Sequence, residues 1–227
     1  MSSPDGEPAG DAVAVDPDAT VERIALDATS WVDVGRGWLR GADLLCDALL
    51  GSVAWQPGRL FRYDHMVEER RLGAGWRRGQ PLPHPALAGI HQDLQRRYRV
   101  LFDSFSLIQY RDGADGQAFH RDTDLRWLDD TVIAVLSLGA RRPWLLRPHR
   151  SRYDLSAGRG ATHDLAPGSG DLIVMGGRCQ ADWQHSVAYQ PGRRDIGVRI
   201  SLQWRHTTRR GRPFVGGSWR APVSYSR

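Results

Sequence analysis

The chain has 227 residues, 41% hydrophobic and 25% charged, an ordinary composition for one globular domain with enough apolar material for a core. Wholesale disorder is excluded, and so is a spanning helix, because the longest apolar uncharged run, 131–140, is about half of the roughly 20 residues a span needs. The net charge of +5 hides an asymmetry: five carboxylates and no base stand in residues 1–20, and taking those five negative charges away leaves a body at +10, whose bases are all arginine.

Residues 1–20, rich in Asp, Ala, Pro and Gly without periodicity, are predicted to form a disordered acidic tail. They contain no basic start, apolar stretch or small-residue cleavage site, so the protein is expected to be cytoplasmic. Cys46 and Cys179 are too few for a disulfide framework or a four-thiolate zinc site and are expected as free thiols. A first helix is predicted over Ala42–Leu50, with Leu44, Leu45, Ala48 and Leu49 on one stripe and Gly51 ending it. A second starts near Pro85, with Leu87, Ile90, Leu94 and Tyr98 recurring at steps of three and four.

From Asp103 the pattern changes to short β-branched and aromatic runs separated by Gly and Pro: Ser104–Tyr110, Gln117–Arg121, Thr131–Leu138, Trp144–Arg147, Asp171–Met175 and Ile196–His206. Many short strands after two helices predict a mainly β fold, an antiparallel sandwich or barrel with flanking helices packed outside. One domain is expected over 21–206, followed by a basic tail, 207–227, carrying Arg209, Arg210, Arg212, Arg220 and Arg227. Such a tail is more often a solvated end than a binding arm.

The first chemical candidate is His120-Arg121-Asp122. Residues two apart on a strand share a face, so His120 and Asp122 could offer an imidazole nitrogen and a carboxylate oxygen to one metal. The spacing alone is weak: His91-Gln92-Asp93 repeats it on the second helix, where positions i and i+2 diverge. His185, after a Gly-Gly turn and Trp183, would complete a two-histidine, one-carboxylate set, which leaves open positions on non-haem iron. In the run 198–205 the residues Val198, Ile200, Leu202 and Trp204 face a core while Arg199, Ser201, Gln203 and Arg205 share the other face. That polar face is either a solvated outer side or the wall of a pocket. In the second case the two arginines, about 20 Å apart along the backbone, could hold a short dicarboxylate such as 2-oxoglutarate.

These residues resemble the AlkB family of iron(II)- and 2-oxoglutarate-dependent dioxygenases, over roughly Arg59–Arg205. The stretch Gly170–Gln180 continuing to Trp183, His185 and Val187 is similar to the family's segment around its distal iron-binding histidine. His120 and Asp122 match its His-X-Asp pair, and Arg199 and Arg205 match the two arginines of its Arg-X-Asn-X-Thr-X-Arg strand, with Ser201 and Gln203 in place of Asn and Thr. Tyr110 stands where the family has a cosubstrate-binding tyrosine, Ile108 replaces the asparagine two before it, and Asp124 stands where an acidic residue meets the damaged base. Arg70–Trp76 resembles part of the nucleotide-recognition lid, matching outright at Arg71, Leu72 and Ala74. Trp76 is there either a base-stacking ring or packing.

The resemblance implies a double-stranded β-helix (jelly roll) core. Iron(II) would be held by His120, Asp122 and His185, and 2-oxoglutarate by Tyr110, Arg199, Ser201, Gln203 and Arg205. Dioxygen would be the oxidant and N-alkylated bases in DNA or RNA the substrate, contacted by Asp124, Arg71 and Trp76. The implied enzyme is a monomer without membrane association that oxidises an N-alkyl carbon, loses an aldehyde and restores the base, a DNA-repair activity that requires the base to be flipped out of the stack. Two alternatives remain at this point: an oxygenase of the same scaffold acting on a small molecule, modified RNA or peptide, and a non-enzymatic nucleic-acid-binding protein.

Overall fold

Thr131–Gly139 is apolar at nearly every position, and it is buried over almost its whole length. A strand so patterned must have both faces covered. The computed structural model, which describes residues 12–62, 65–77, 79–149 and 162–215, puts it at the middle of a large antiparallel sheet. In chain order the elements are β1 (Ala14–Val15), β2 (Val21–Ala25), β3 (Ser30–Gly35), β4 (Leu39–Arg40), α1 (Ala42–Ser52), β5 (Gln56–Arg62), β6 (His65–Trp76), α2 (Ala86–Tyr98), β7 (Ser104–Tyr110) and β8 (Gln117–His120). A 3₁₀ turn (Thr123–Leu125) leads to β9 (Thr131–Gly139), β10 (Trp144–Pro148), β11 (His163–Asp164), β12 (Leu172–Gly177), α3 (Cys179–Asp182), β13 (Trp183–Val187) and β14 (Arg199–Thr207).

The large sheet runs β2-β3-β12-β9-β14-β7-β6-β5 and a smaller one β11-β10-β13-β8, with β1 paired to β4. Alternation divides the side chains of β9 and its neighbours into two cores. Val132, Ala134, Leu136, Leu138, Ile200, Leu202 and Trp204 face α1 and α2, whereas Ile133, Val135, Ile173, Met175 and Tyr110 face Trp144, Leu146 and Val187 of the small sheet. Helices, large sheet and small sheet thus form three layers, the arrangement expected when two amphipathic helices have only one sheet face to cover. A sandwich with helices outside is what the strand pattern predicts.

α2 buries Leu87, Ile90 and Leu94, the stripe its periodicity requires. In α1 the buried stripe is Ala42, Leu45, Cys46 and Leu49, one position away from the predicted one. Leu44 is half exposed and Ala48 is exposed, because the helix is rotated to bring Cys46 over the sheet. The acidic tail also ends earlier than position 20. Val13 and Val15 pack on the helix-side core, β1 pairs with β4, and Arg40 holds Asp16 at 2.7 Å; residues 1–11 lie outside the described residues. The basic tail is described as far as Val215, with Arg220 and Arg227 beyond it.

Among the described residues, six strands before residue 80, β1–β6, escape the hydrophobic pattern. β3 carries Asp33 at a buried position, which is tolerated because Arg23 holds both its oxygens, at 2.7 and 2.9 Å, and Tyr98 donates to it at 3.1 Å. The Gly-Gly pair that ends β12 has a steric origin. The indole of Trp31 lies against Gly176 so closely that a Cβ there would come within 1.9 Å of it, and Gly177 adopts φ +64°.

Candidate metal centre and cosubstrate pocket

β8 and β13 are neighbours in the small sheet, and their register sets His120 directly opposite His185. Their ring centroids are 4.2 Å apart. β8 ends at His120, so the carboxylate is not delivered by strand alternation; the chain turns at Asp122 (φ −79°, ψ 63°) into the 3₁₀ turn. The turn brings Asp122 Oδ1 to 3.6 Å from His120 Nε2. One donor atom from each of His120, Asp122 and His185 lies within 4.8 Å of the other two, the span that three ligands of one metal ion occupy. His91, by contrast, tilts against Phe102 at 6.0 Å, and Asp93 pairs with Arg96.

The surroundings hold each donor in its ligating form. His120 Nδ1 donates to the Ala118 carbonyl at 3.0 Å, which leaves the Nε2 lone pair free. Burial, with the neighbouring His120, pushes the His185 imidazole down to about 3 against the pull of Asp122, so it is neutral at physiological pH. The indole of Trp144 stacks on His185 at 5.5 Å and 18°. Burial would raise the Asp122 carboxyl, but Arg205, His185 and His120 together hold it well below the usual carboxylate range. Arg205 Nε donates to Asp122 Oδ2 at 3.1 Å, leaving Oδ1 for a metal. Gln203 Oε1 accepts from Arg205 Nη2 at 2.6 Å, and Gln180 Oε1 accepts the Asp122 backbone N–H at 2.7 Å.

At the other end of β14 the polar face is buried between the sheets, so it is a pocket wall and not a solvated side. Arg199 is fully buried and Ser201 nearly so. Arg199 Nη2 donates to Ser137 Oγ at 2.8 Å, while among the described residues its Nε and Nη1 have no acceptor. A buried guanidinium with two unmet N–H groups is costly in isolation and fits one end of a carboxylate. Tyr110 lies opposite on β7, its ring 5.8 Å from the Arg199 guanidinium carbon. Ile108, two residues earlier, packs against the core between the sheets and brings no hydrogen-bonding group to this wall.

The segment Arg70–Trp76, which resembles the lid, lies in β6, and its alternation separates its two candidates. Arg71 faces the pocket, donating to the Tyr110 hydroxyl at 3.5 Å and to Glu69 at 3.1 Å. Trp76 points to the other face of the sheet, where, partly buried, it packs on Phe105 at 5.5 Å against the helix-side core, on the face opposite Arg71. Asp124 sits in the 3₁₀ turn that follows Asp122, half-buried.

Four side chains had no role in the sequence reading. Gln180 was visible only as part of the glycine-flanked motif, and Ser137 and Trp144 as strand residues. Arg142 is fully buried and donates to the carbonyls of Asp112, Asp115 and Ala188 at 3.0, 2.8 and 3.3 Å. It thereby fixes the turn between Tyr110 and β8.

A family model described as the 2OG-Fe(II) oxygenase superfamily matches residues 80–205, more than half of the chain. Among curated proteins, the alpha-ketoglutarate-dependent dioxygenase alkB homolog 3 of Rattus norvegicus is 28% identical over 189 residues, covering 77% of this chain and 63% of the relative. The DNA oxidative demethylase ALKBH2 of Arabidopsis thaliana is 29% identical over 138 residues, 51% of this chain and 42% of the relative. The chain therefore spans less than two thirds of the length of these relatives. A prolyl hydroxylase from Trichoplax adhaerens, solved with a hypoxia inducible factor peptide, shares the fold at a TM-score of 0.54 and 13% identity, over 76% of this chain and 82% of that one. Among the described residues no helix is long and apolar enough to cross a membrane.

Proposed function

Because the chain belongs to the 2OG-Fe(II) oxygenase superfamily, we propose that it is an iron(II)- and 2-oxoglutarate-dependent dioxygenase that oxidatively removes alkyl groups from nucleobases in DNA or RNA. The observation that carries the oxygenase half is the alignment of two incomplete sites along β14. Arg205 braces the carboxylate of Asp122, the candidate metal ligand, and Arg199 holds two buried N–H groups that find no acceptor among the described residues. The dealkylation half is supported by the similarity to an alkB homolog and to a DNA oxidative demethylase, and by the basic body of the chain.

The donor set fits iron(II), with two neutral imidazoles and one carboxylate from a set that leaves positions open. When bound, iron(II) supplies the activation of dioxygen that couples oxidative decarboxylation of 2-oxoglutarate, to succinate and carbon dioxide, with oxidation of an N-alkyl carbon. The chain's own residues position the partners. Arg199 and Tyr110 take the distal carboxylate, with Ser201 beside them. Arg205, Gln203 and Gln180 keep Asp122 in one orientation, and Trp144 with the surrounding apolar core limits the entry of water. Asp124 and Arg71 stand on the substrate side, where a carboxylate at Asp124 favours a cationic base such as 1-methyladenine or 3-methylcytosine over a neutral one. The hydroxylated N-alkyl group is a hemiaminal, which breaks its own C–N bond and leaves as an aldehyde.

The test is incubation with iron(II), ascorbate and 2-oxoglutarate plus methylated oligonucleotides, with succinate and the repaired base measured by mass spectrometry. Succinate formed together with unmethylated base supports the reading. Succinate without repair of any methylated oligonucleotide would replace it with an oxygenase acting on another substrate. Nucleic-acid binding without succinate would replace it with a non-enzymatic binding protein.

A further inference from the structure

After β14 the chain doubles back over the loop that carries Asp122 and Asp124. The Thr207 hydroxyl donates to the Trp127 carbonyl at 2.6 Å and the Thr208 N–H to that of Asp130 at 3.2 Å. Gly211, at φ +78°, lets the chain pass so near Asp129 that a Cβ would stand 2.9 Å from its carboxylate oxygen. The Phe214 N–H then donates to the Arg126 carbonyl at 2.6 Å, and Arg126 Nη1 donates back to the Phe214 carbonyl at 3.0 Å. Arg126 itself sits at φ +67°, a conformation that a non-glycine residue keeps only where its surroundings over-determine it.

Between this strap, the metal loop and α3 lies an open groove of about 200 Å³, lined among the described residues by Arg121, Arg126, Arg178 and Arg212 and by the carboxylates Asp129 and Asp182. Arg178 engages both, with Nε 2.7 Å from Asp182 Oδ2 and Nη1 on Asp129. Arg121 is different: its Nη1 donates to the Ala181 carbonyl at 2.9 Å, and its guanidinium lies over the Phe214 ring at 5.3 Å. Among the described residues neither Arg121 nor the exposed Arg212 has a carboxylate within ion-pair distance. Arg121 also stands between two metal-ligand candidates, His120 and Asp122, which puts the groove on the flank of the metal loop.

We infer that this groove binds the phosphodiester backbone of a nucleic-acid strand, with Arg121 and Arg212 each facing a phosphate. The planar fork of arginine matches phosphate oxygens, and phosphate contacts fix a strand without reading its sequence. This inference rests on the nucleic-acid reading of the substrate and adds where the strand runs.

The experiment is fluorescence anisotropy of the full chain with a labelled, unmethylated single-stranded oligonucleotide across a salt series. Arg212→Glu, Arg212→Ala and a matched reversal on the helical face, Arg96→Glu, are compared with wild type. Arg212→Glu should weaken binding about tenfold, and Arg212→Ala should lower the slope of log affinity against log salt by about one. Arg96→Glu should bind like wild type, and succinate formation without nucleic acid should be unchanged in both Arg212 variants. Equal affinity and slope in wild type and both Arg212 variants would overturn the groove while leaving the repair reading intact. Displacement of the strand by inorganic phosphate, beyond that caused by chloride at equal ionic strength, would reassign the groove to free phosphate. A wild type that binds no oligonucleotide at low salt would overturn both readings. Weakened binding in Arg212→Glu, from a wild type that repairs no base, would keep the groove and remove the repair reading.

Discussion

Replacing Arg199 by methionine should stabilise the cosubstrate-free protein while abolishing its response to 2-oxoglutarate. The guanidinium is fully buried, with one hydrogen bond to Ser137 and two N–H groups without acceptors. Burial lowers its pKa from 12.5 to about 10, Tyr110 opposing and Arg142 adding to the fall. At about 1.4 kcal/mol per pKa unit, that gap is about 3 kcal/mol of unfavourable charge burial. Methionine fills similar length without a polar atom and forfeits the Ser137 bond, about 1 kcal/mol, so a net gain of about 1–3 kcal/mol is expected. For a chain of this size the gain is a rise in Tm of roughly 2–12 °C. Calorimetry of the metal-free protein measures it, and repetition with Mn(II) and saturating 2-oxoglutarate should raise the Tm of wild type by ligand linkage but not that of Arg199→Met. A variant that melts below wild type and still shifts with 2-oxoglutarate would refute the reasoning.

Gln180→Leu removes the acceptor of the Asp122 N–H and should weaken metal binding about 10-fold or more, read by equilibrium dialysis. Asp124→Ala should impair repair of 1-methyladenine in oligonucleotides while leaving 2-oxoglutarate turnover without nucleic acid largely intact. Trp76→Leu should cost about 1–3 kcal/mol of stability in urea unfolding with oligonucleotide affinity unchanged, since the ring packs on Phe105. The metal-free protein should lose stability as pH falls below about 6.5. The unfolded chain can then protonate His185, whereas the folded one, with its pKa near 3, cannot, giving about 1.4 kcal/mol per pH unit. Below about pH 4, protonation of Asp122, whose folded carboxyl is held low, adds to the loss. Urea midpoints across this range, with and without Mn(II), check the sign: metal keeps the folded imidazole neutral, as burial already does, so the dependence should persist when Mn(II) is bound.

What could be read from residue order alone was periodicity and one-dimensional spacing. β7 is predicted to the residue because Ser104–Tyr110 is a short run carrying aromatic and β-branched residues, bounded by Asp103 and Arg111, and α2 because its apolar residues recur at steps of three and four. β3 was not legible, since the buried carboxylate of Asp33 is balanced by Arg23, ten residues away, a pairing that only the folded sheet makes. The spacing of His120 and Asp122 pointed to the right pair for an incomplete reason: the strand stops at His120, and a turn anchored by Gln180 delivers the carboxylate. Trp76 was ambiguous because an aromatic ring in a glycine-flanked segment suits a lid or a core. The register of β6 on β7, which pairs Trp76 with Phe105, decides between them. Gln180 and Arg142 act through backbone groups, which carry no residue signature in the sequence.

The most direct measurement is an anaerobic titration of 2-oxoglutarate into iron(II)-loaded protein, monitored by the visible charge-transfer absorption of a keto acid chelated to ferrous iron. Wild type should develop the band with one equivalent of iron and one of 2-oxoglutarate. Asp122→Ala should not develop it, and Arg199→Met should require a much higher 2-oxoglutarate concentration. No band in wild type, or an identical titration in all three proteins, would contradict a metal centre at His120, Asp122 and His185 served by the Arg199 pocket.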